Sequence, residues 1–371
     1  MTQAPFYPGD AIAWFTCRSN KNPRFQFETV GGNYIVLSFL ISASRPESAA
    51  IWQHINGPLR KFFDDKNALF FAVTTDSTDE TEQRLADSIP GIRCFWDTDS
   101  AVHQLYKIGQ YPVTFVIDPN LRVIAVIPGN TADGHNHMLG ELLQRLPPSD
   151  MHAGVPSHAP VLIVPRVFER DFCRELIGLY TTHGGKPSGF MRERDGKTIG
   201  VLDASFKRRK DFMFEEQPEY EKLRQAIRAR LTRRLLPEIK KAYQYSVTRI
   251  ERYLVASYTD EDQGFFNRHR DNTTKGTAHR RFACTLNLNA EDYEGGELRF
   301  PEHGMRTYRA PTGGAVIFSC SLMHEATPVT RGARYAFLPF LYDEEAARIR
   351  VENRQYIDTS EHDAKARGET N

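Results

Sequence analysis

The chain is poor in cysteine and has no long apolar run. Five cysteines, Cys17, Cys94, Cys173, Cys284 and Cys320, are scattered over 371 residues without a C-x-x-C pair. That pattern excludes a disulfide framework and a cysteine-rich zinc module, and it reads as a set of core thiols. The longest clean apolar stretch, Tyr34 to Ile41, is strand-sized and far below the roughly 20 residues of a membrane span, which excludes a transmembrane role. The opening segment MTQAPFYPGD lacks the basic region and apolar stretch of a secretory signal, so the expected compartment is the cytoplasm. There is no internal repeat. With 40% hydrophobic and 26% charged residues, a chain that is disordered, collagenous or coiled-coil throughout is also excluded.

What is present is length enough for two or three folding units. The net charge of +1 hides an asymmetry, because residues 1–150 hold 12 Lys+Arg against 16 Asp+Glu and residues 151–371 hold 36 against 31. From Tyr34 to about Leu146 short apolar runs alternate with helical segments: YIVLSFLI, a helix near Glu47 to Phe63, LFFAVTT, and a polar helix near Asp79 to Ala86. A short segment at Cys94 to Trp96, a helix near Ala101 to Tyr106, the strands VTFVID and RVIAVI, and a helix near His137 to Leu146 follow. This order predicts an α/β layer unit with a mostly parallel sheet over residues 1–147. The stretch LPPSDMHAGVPSHAP supports no core, and residues 148–160 are expected to be a linker. Beyond it, Phe172, Leu176, Leu179 and Tyr180 predict one helix. Leu223, Ile227, Leu231 and Leu235 predict a second, interrupted at Pro237. From Tyr243 to Tyr342 many short strands separated by turn residues indicate a β-sandwich or barrel. The second unit is thus expected over residues 161–350 as a jelly-roll core with flanking helices, followed by a polar, partly disordered tail over 351–371.

The segment FFNRHRDN places His269 and Asp271 two residues apart in strand-like surroundings, where both side chains project from one face about 7 Å apart. His324, 53 residues after Asp271 and beyond the apolar strand GAVIFS, supplies a third ligand. Two imidazoles and one carboxylate on one side of a metal leave open positions opposite, as non-haem Fe(II) oxygenases use them. Arg334 follows ten residues later, beyond a turn at Arg331-Gly332. Its guanidinium fork suits a carboxylate of a dicarboxylic keto acid. The plainer alternatives are hydrogen-bonded core histidines, a turn aspartate, and a structural ion pair at Arg334. His279, His303 and Cys320 lie nearby in sequence but are not read as ligands.

Residues of about 160 to 345 resemble the prolyl-hydroxylase-like dioxygenases dependent on 2-oxoglutarate and Fe(II). The matching pieces are Tyr258, His269-Arg270-Asp271, Gly295-Gly296-Glu297-Leu298, Pro311-Thr312-Gly313-Gly314, His324 and Arg334. The resemblance implies a double-stranded β-helix, His269, Asp271 and His324 as Fe(II) ligands, and Arg334 as the anchor of the 2-oxoglutarate side carboxylate. It places Tyr258 in the co-substrate pocket, or alternatively in ordinary core. Many family members carry Lys where Arg334 stands. The implied reaction hydroxylates a prolyl or other aliphatic C–H in a peptide, protein or small molecule, using O₂ and releasing succinate and CO₂, with ascorbate as a further reductant. The carboxylate of Asp271 favours hydroxylation, because related halogenases lack it.

Residues 7–130 resemble the peroxiredoxin and thioredoxin-like fold, from YPGD through YIVLSFL to Tyr111-Pro112-Val113-Thr114-Phe115. The resemblance makes Pro112 a cis candidate. A peroxidatic cysteine would stand just beyond the first core strand, where this chain reads ISASRPESAA, so a redox-inactive unit for dimerisation, docking or support is expected. Between Lys207 and Arg252 the chain holds 14 Lys+Arg against 7 Asp+Glu. A solvated helix face is the preferred account of that surplus, and an acidic partner or nucleic acid the alternative. Besides the oxygenase, a catalytically quiet two-domain binding or sensing protein and a thiol peroxidase remain as alternative functions.

Overall fold

The computed structural model describes residues 6–215 and 217–358, and the chain divides into two compact units. One comprises Met1–Ala159 with Pro301–Met305, the other Pro160–Phe300 with Arg306–Asn371.

In the first unit the residues YIVLSFLI form β1 (Tyr34–Ile41), apolar on both faces and therefore central. Helix α1 (Pro46–Asn56) starts with Pro46 in its first turn and buries Ile51 and Ile55, one helical turn apart. Strands β2 (Ala68–Thr74) and β3 (Ile92–Trp96), helix α2 (Ala101–Leu105), the hairpin β4 (Val113–Ile117) and β5 (Val123–Pro128), and helix α3 (Ala132–Arg145) follow. The strand order is β3-β2-β1-β4-β5. The β1–β2 and β2–β3 ladders are parallel, whereas β1–β4 and β4–β5 are antiparallel. The sheet is therefore mixed rather than mostly parallel, because the short β4–β5 connection permits only an antiparallel return. One face packs under α1 and α3. The other carries an aromatic stack in which Phe15 lies on Phe27 and Phe71 on Phe95. This is a thioredoxin-like α/β layer.

Two local expectations fail here. The helix expected from Asp79 to Ala86 shrinks to one turn, Thr78–Thr81. The fully buried Asp79 carboxylate accepts from the Ala43 amide, the Thr74 hydroxyl and Arg84, and Gln83 leaves the helix with a φ of +55°. The Tyr111–Pro112 bond is trans, and the cis bond among the described residues is Ile89–Pro90. The expectation came from a fold whose proline packs on a thiol, whereas Ser42-Ala43-Ser44-Arg45 offers none.

The second unit opens with β6 (Leu162–Val164) and α4 (Arg170–His183), which buries Phe172, Cys173, Leu176 and Tyr180. Strands β7 (Lys186–Pro187), β8 (Lys207–Arg208) and β9 (Lys210–Met213) lead to α5 (Glu221–Arg230). Pro237 does not end the helical run. Five π-helical residues, Leu231–Leu235, join α5 to α6 (Leu236–Tyr243), and Pro237 sits in the first turn of α6, where its missing N–H is tolerated. Ile227, Leu231, Leu235 and Ile239 consequently stay buried along one face.

Then come β10 (Arg249–Glu251), β11 (Leu254–Thr259), β12 (Phe265–His269), β13 (Phe282–Asn287), β14 (Leu298–Arg299), β15 (Thr307–Tyr308), β16 (Ala315–Ser319), β17 (His324–Ala326), β18 (Ala333–Phe337) and β19 (Phe340–Tyr342). The larger sheet runs β10-β19-β13-β18-β11-β9-β7, with β16 bridging β13 and β6, and the smaller runs β8-β12-β17-β14-β15. The two sheets make the double-stranded β-helix. Val255 and Phe337 turn outward into the helix-covered core. Alternation sends Leu254, Ala256 and Tyr258 to the opposite face. The expected tail is ordered as far as it is described: α7 (Glu344–Glu352) and a 3-10 turn lead to Ile357–Asp358, which pair in parallel with the strand Lys197–Val201. The rest of the tail lies outside the described residues.

Candidate metal centre

Strand β12 ends at His269, and beyond a bulge this residue pairs with His324 at the start of β17. Asp271 lies past the end of the strand, not within it, so strand alternation does not account for its position. A turn folds it back, fixed by the Asp271 amide donating to the Cys320 carbonyl at 2.9 Å. Ligand atoms of His269, Asp271 and His324 lie within 4.8 Å of one another, and no other such cluster of three occurs among the described residues.

The second nitrogen of each ring settles which atoms face inward. His269 Nδ1 is 2.7 Å from the Asn267 carbonyl and His324 Nδ1 is 3.0 Å from the Leu322 carbonyl. A carbonyl only accepts, so Nδ1–H donates and Nε2 carries the lone pair. The two Nε2 atoms stand 3.5 Å and 3.4 Å from the Asp271 carboxylate oxygens. Burial, then the neighbouring His269, push the His324 imidazole down to about 4, keeping it neutral near pH 7. Three acceptors thus converge without a donor between them, which is repulsive until a cation enters. Two nitrogens and one carboxylate oxygen suit Fe(II), and the carbonyl partners orient both rings toward it. The donor set fits that ion.

Arg334 on β18 is buried, and it pairs across the ladder with Tyr258 on β11. Its guanidinium lies 4.9 Å over the Tyr258 ring, and Nε and Nη1 have no hydrogen-bond partner. Leaving buried donors unmade costs on the order of 1–3 kcal/mol each. An incoming carboxylate would remove that cost, whereas the plain ion-pair alternative finds no carboxylate partner for Arg334 among the described residues. Gly296, at φ +65°, keeps this place open, since an added Cβ would come within 3.1 Å of Arg334 Cδ. One pocket is lined by His269, Asp271, His324, Tyr258 and Arg334 together.

Sequence reasoning missed four further residues. Lys207, Arg209 and Asp211 are buried while Arg208 and Lys210 are exposed, so this part of the basic stretch is strand, not a solvated helix face. The alternating pattern in FKRRKDFM was the available signal. Arg209 donates through Nε and Nη2 to both Asp211 oxygens at 2.7 Å and through Nη1 to the Tyr258 hydroxyl at 3.3 Å. Arg209 and Arg252 also line the pocket. In the helical part of the stretch Arg228 pairs with Glu221, and Arg230 and Arg234 with Glu169, on the outer side, whereas Arg224 is buried and donates to the Phe214 and Gln217 carbonyls. His279 is bound to Glu251 at 2.6 Å.

Residues 253–342 match the 2OG-Fe(II) oxygenase superfamily and residues 8–126 match the AhpC/TSA family. Each of the two units thus contains a segment similar to one of these families. Over 81 residues it is 40% identical to a PKHD-type hydroxylase of Pseudomonas fluorescens, a span of 20% of this chain and 36% of that one. Over 54 residues it is 46% identical to a PKHD-type hydroxylase of a Synechococcus strain, covering 14% and 24% respectively. The chain thus spans about a quarter to a third of the length of these relatives. Among solved structures, a prolyl hydroxylase of Trichoplax adhaerens bound to a hypoxia inducible factor peptide aligns with 17% identity and a TM-score of 0.39, over 58% of this chain and 94% of that one. The peroxidoxin BcpB of Mycobacterium tuberculosis aligns with 19% identity and a TM-score of 0.32, over 38% and 99%.

Proposed function

We propose that this protein is an Fe(II)- and 2-oxoglutarate-dependent dioxygenase that hydroxylates an aliphatic C–H, of a prolyl residue or a similar position, in a peptide, a protein or a small molecule. The observation that carries the reading is one pocket holding both an acceptor-only His269, Asp271 and His324 cluster and the unpartnered Arg334 donors. When bound, Fe(II) with 2-oxoglutarate and O₂ supplies the oxidising power for hydroxylation, the keto acid leaving as succinate and CO₂. The chain's residues hold and orient. His269 and His324 offer Nε2 lone pairs because their Nδ1–H groups are committed to carbonyls. Asp271 offers the anionic oxygen. Arg334 takes the distal carboxylate through Nε and Nη1, with Tyr258 stacked beneath it. Phe266 over His269 and Phe318 against His324 keep bulk water from the rings.

The thioredoxin-like unit supports or docks and does not reduce peroxide. Its thiols Cys17 and Cys94 are buried, and burial pushes Cys17 up to about 12 and Cys94 higher still, away from the reactive thiolate. Among the described residues no helix is long and apolar enough to cross a membrane. The experiment is succinate release from 2-oxoglutarate under air with Fe(II) and ascorbate, compared with His324→Ala. Wild-type turnover that the substitution abolishes is the expected result, and equal release from both proteins refutes the reading.

A further inference from the structure

The pocket holds more positive charge than 2-oxoglutarate can neutralise. Arg209, Arg252 and Arg334 line it, and Asp211 is the carboxylate in ion-pair contact with the first two. Of the two carboxylates of 2-oxoglutarate, the proposed function assigns one to Arg334 and the other to the metal side. One guanidinium remains in surplus. Arg209 is committed to Asp211 by two hydrogen bonds. Arg252 reaches the same carboxylate at only 3.5 Å and otherwise lies 5.4 Å over the Phe340 ring. Lys207 adds little to the surplus: its Nζ donates to Ser188 Oγ and the Gly189 carbonyl, and burial presses it toward the neutral form. Glu251 is engaged by Arg280 and His279.

The backbone places Arg252 deliberately. It sits between β10 and β11 at a φ of +74°, with its amide donating to Glu215 Oε1 at 3.2 Å. Few side chains other than glycine adopt that conformation, and strain of this kind persists where the surroundings over-determine it. Here it turns an arginine into the pocket. A half-buried cation with a half-used partner is relieved by an incoming anion.

We infer that Arg252 is a specificity residue selecting a substrate that carries a carboxylate beside the position oxidised. The inference rests on the proposed oxygenase function. The carboxylate is either the free acid of a small molecule or an acidic side chain in a peptide, and two pairs of probes separate these sources.

Full-length protein loaded with Zn(II) and 2-oxoglutarate is titrated calorimetrically with N-acetyl-L-proline against N-acetyl-L-prolinamide. The second pair is the blocked tripeptide Glu-Pro-Glu against Gln-Pro-Gln. The expected result is at least about tenfold tighter binding of the charged member in one pair. That preference is lost in Arg252→Gln and retained in Arg252→Lys, which also serves as the folding control. The pair that discriminates names the source. If neither charged probe binds more tightly than its neutral partner, or if the preference survives in Arg252→Gln, the inference is overturned. The visible band of wild-type protein with Fe(II) and 2-oxoglutarate reads the underlying function separately. A band without charge discrimination refutes the anion site alone, and discrimination without a band refutes the iron reading alone.

Discussion

Each unit buries a polar cluster beside its sheet, but the two clusters are finished to different degrees. In the thioredoxin-like unit Asp79 accepts from the Ala43 amide, the Thr74 hydroxyl and Arg84. Asp97 likewise accepts from the amides of Val102 and His103 and pairs with the His103 ring. Donors meet both carboxylates without a ligand, and the buried atom left over beside them is His103 Nε2. In the β-helix unit acceptors face acceptors at His269, Asp271 and His324, while Arg334 presents donors to nothing. Buried polar groups are ordinarily satisfied. We read the acceptor cluster with its unpartnered arginine as the binding site, and the satisfied carboxylates of Asp79 and Asp97 as scaffold.

The largest break in that contrast comes from the acceptor cluster. Asp271→Ala or His269→Ala abolishes iron-dependent turnover of 2-oxoglutarate with little change in melting temperature, and normal turnover in either removes the triad. Next is the donor side. Arg334→Ala weakens 2-oxoglutarate binding by about 2 kcal/mol or more, near 30-fold, as for truncating one partner of a buried charge pair. An unchanged dissociation constant contradicts its role.

A smaller effect concerns Asp211. Burial alone would raise its carboxyl, but Arg209, with Arg252, brings it down to about 2. A depressed carboxyl contributes stability that is present above the unfolded value near 4 and is lost as pH falls toward about 2. The melting temperature should therefore drop across that window by a few degrees more in wild type than in Asp211→Asn. Parallel pH profiles would contradict this. The smallest effect is an expected silence. All five cysteines are free and buried, so native protein reacts slowly with a thiol-reactive chromogen and releases five equivalents only in denaturant. Rapid reaction of one native thiol, together with peroxide consumption, would give the first unit a chemistry of its own.

Both folds were legible from residue patterns. Alternating strands and helices pointed to one layer fold, and turn-punctuated strands to the other. His269, Asp271, His324 and Arg334 stand out in sequence because metal and anion chemistry admits few residue types, and the fold brings the four to one pocket. The exact seat of Asp271 was not, since a turn anchored to Cys320 rather than strand alternation positions it. Pro237 misled because a π turn absorbs the break that proline imposes on an α-helix. Lys207, Arg209 and Asp211 were hidden by composition, because a charge run read by count looks solvated, while the same run read at period two is a strand with a charged inner face. The trans bond at Pro112 shows that a fold can be shared while a detail tied to its lost thiol is not.

The most direct test of the central claim is an anaerobic titration with Fe(II) and then 2-oxoglutarate, followed by the visible charge-transfer band of a keto acid chelated to iron. The account predicts the band in wild type and its absence in Asp271→Ala. Folded wild-type protein that gives no band would contradict it.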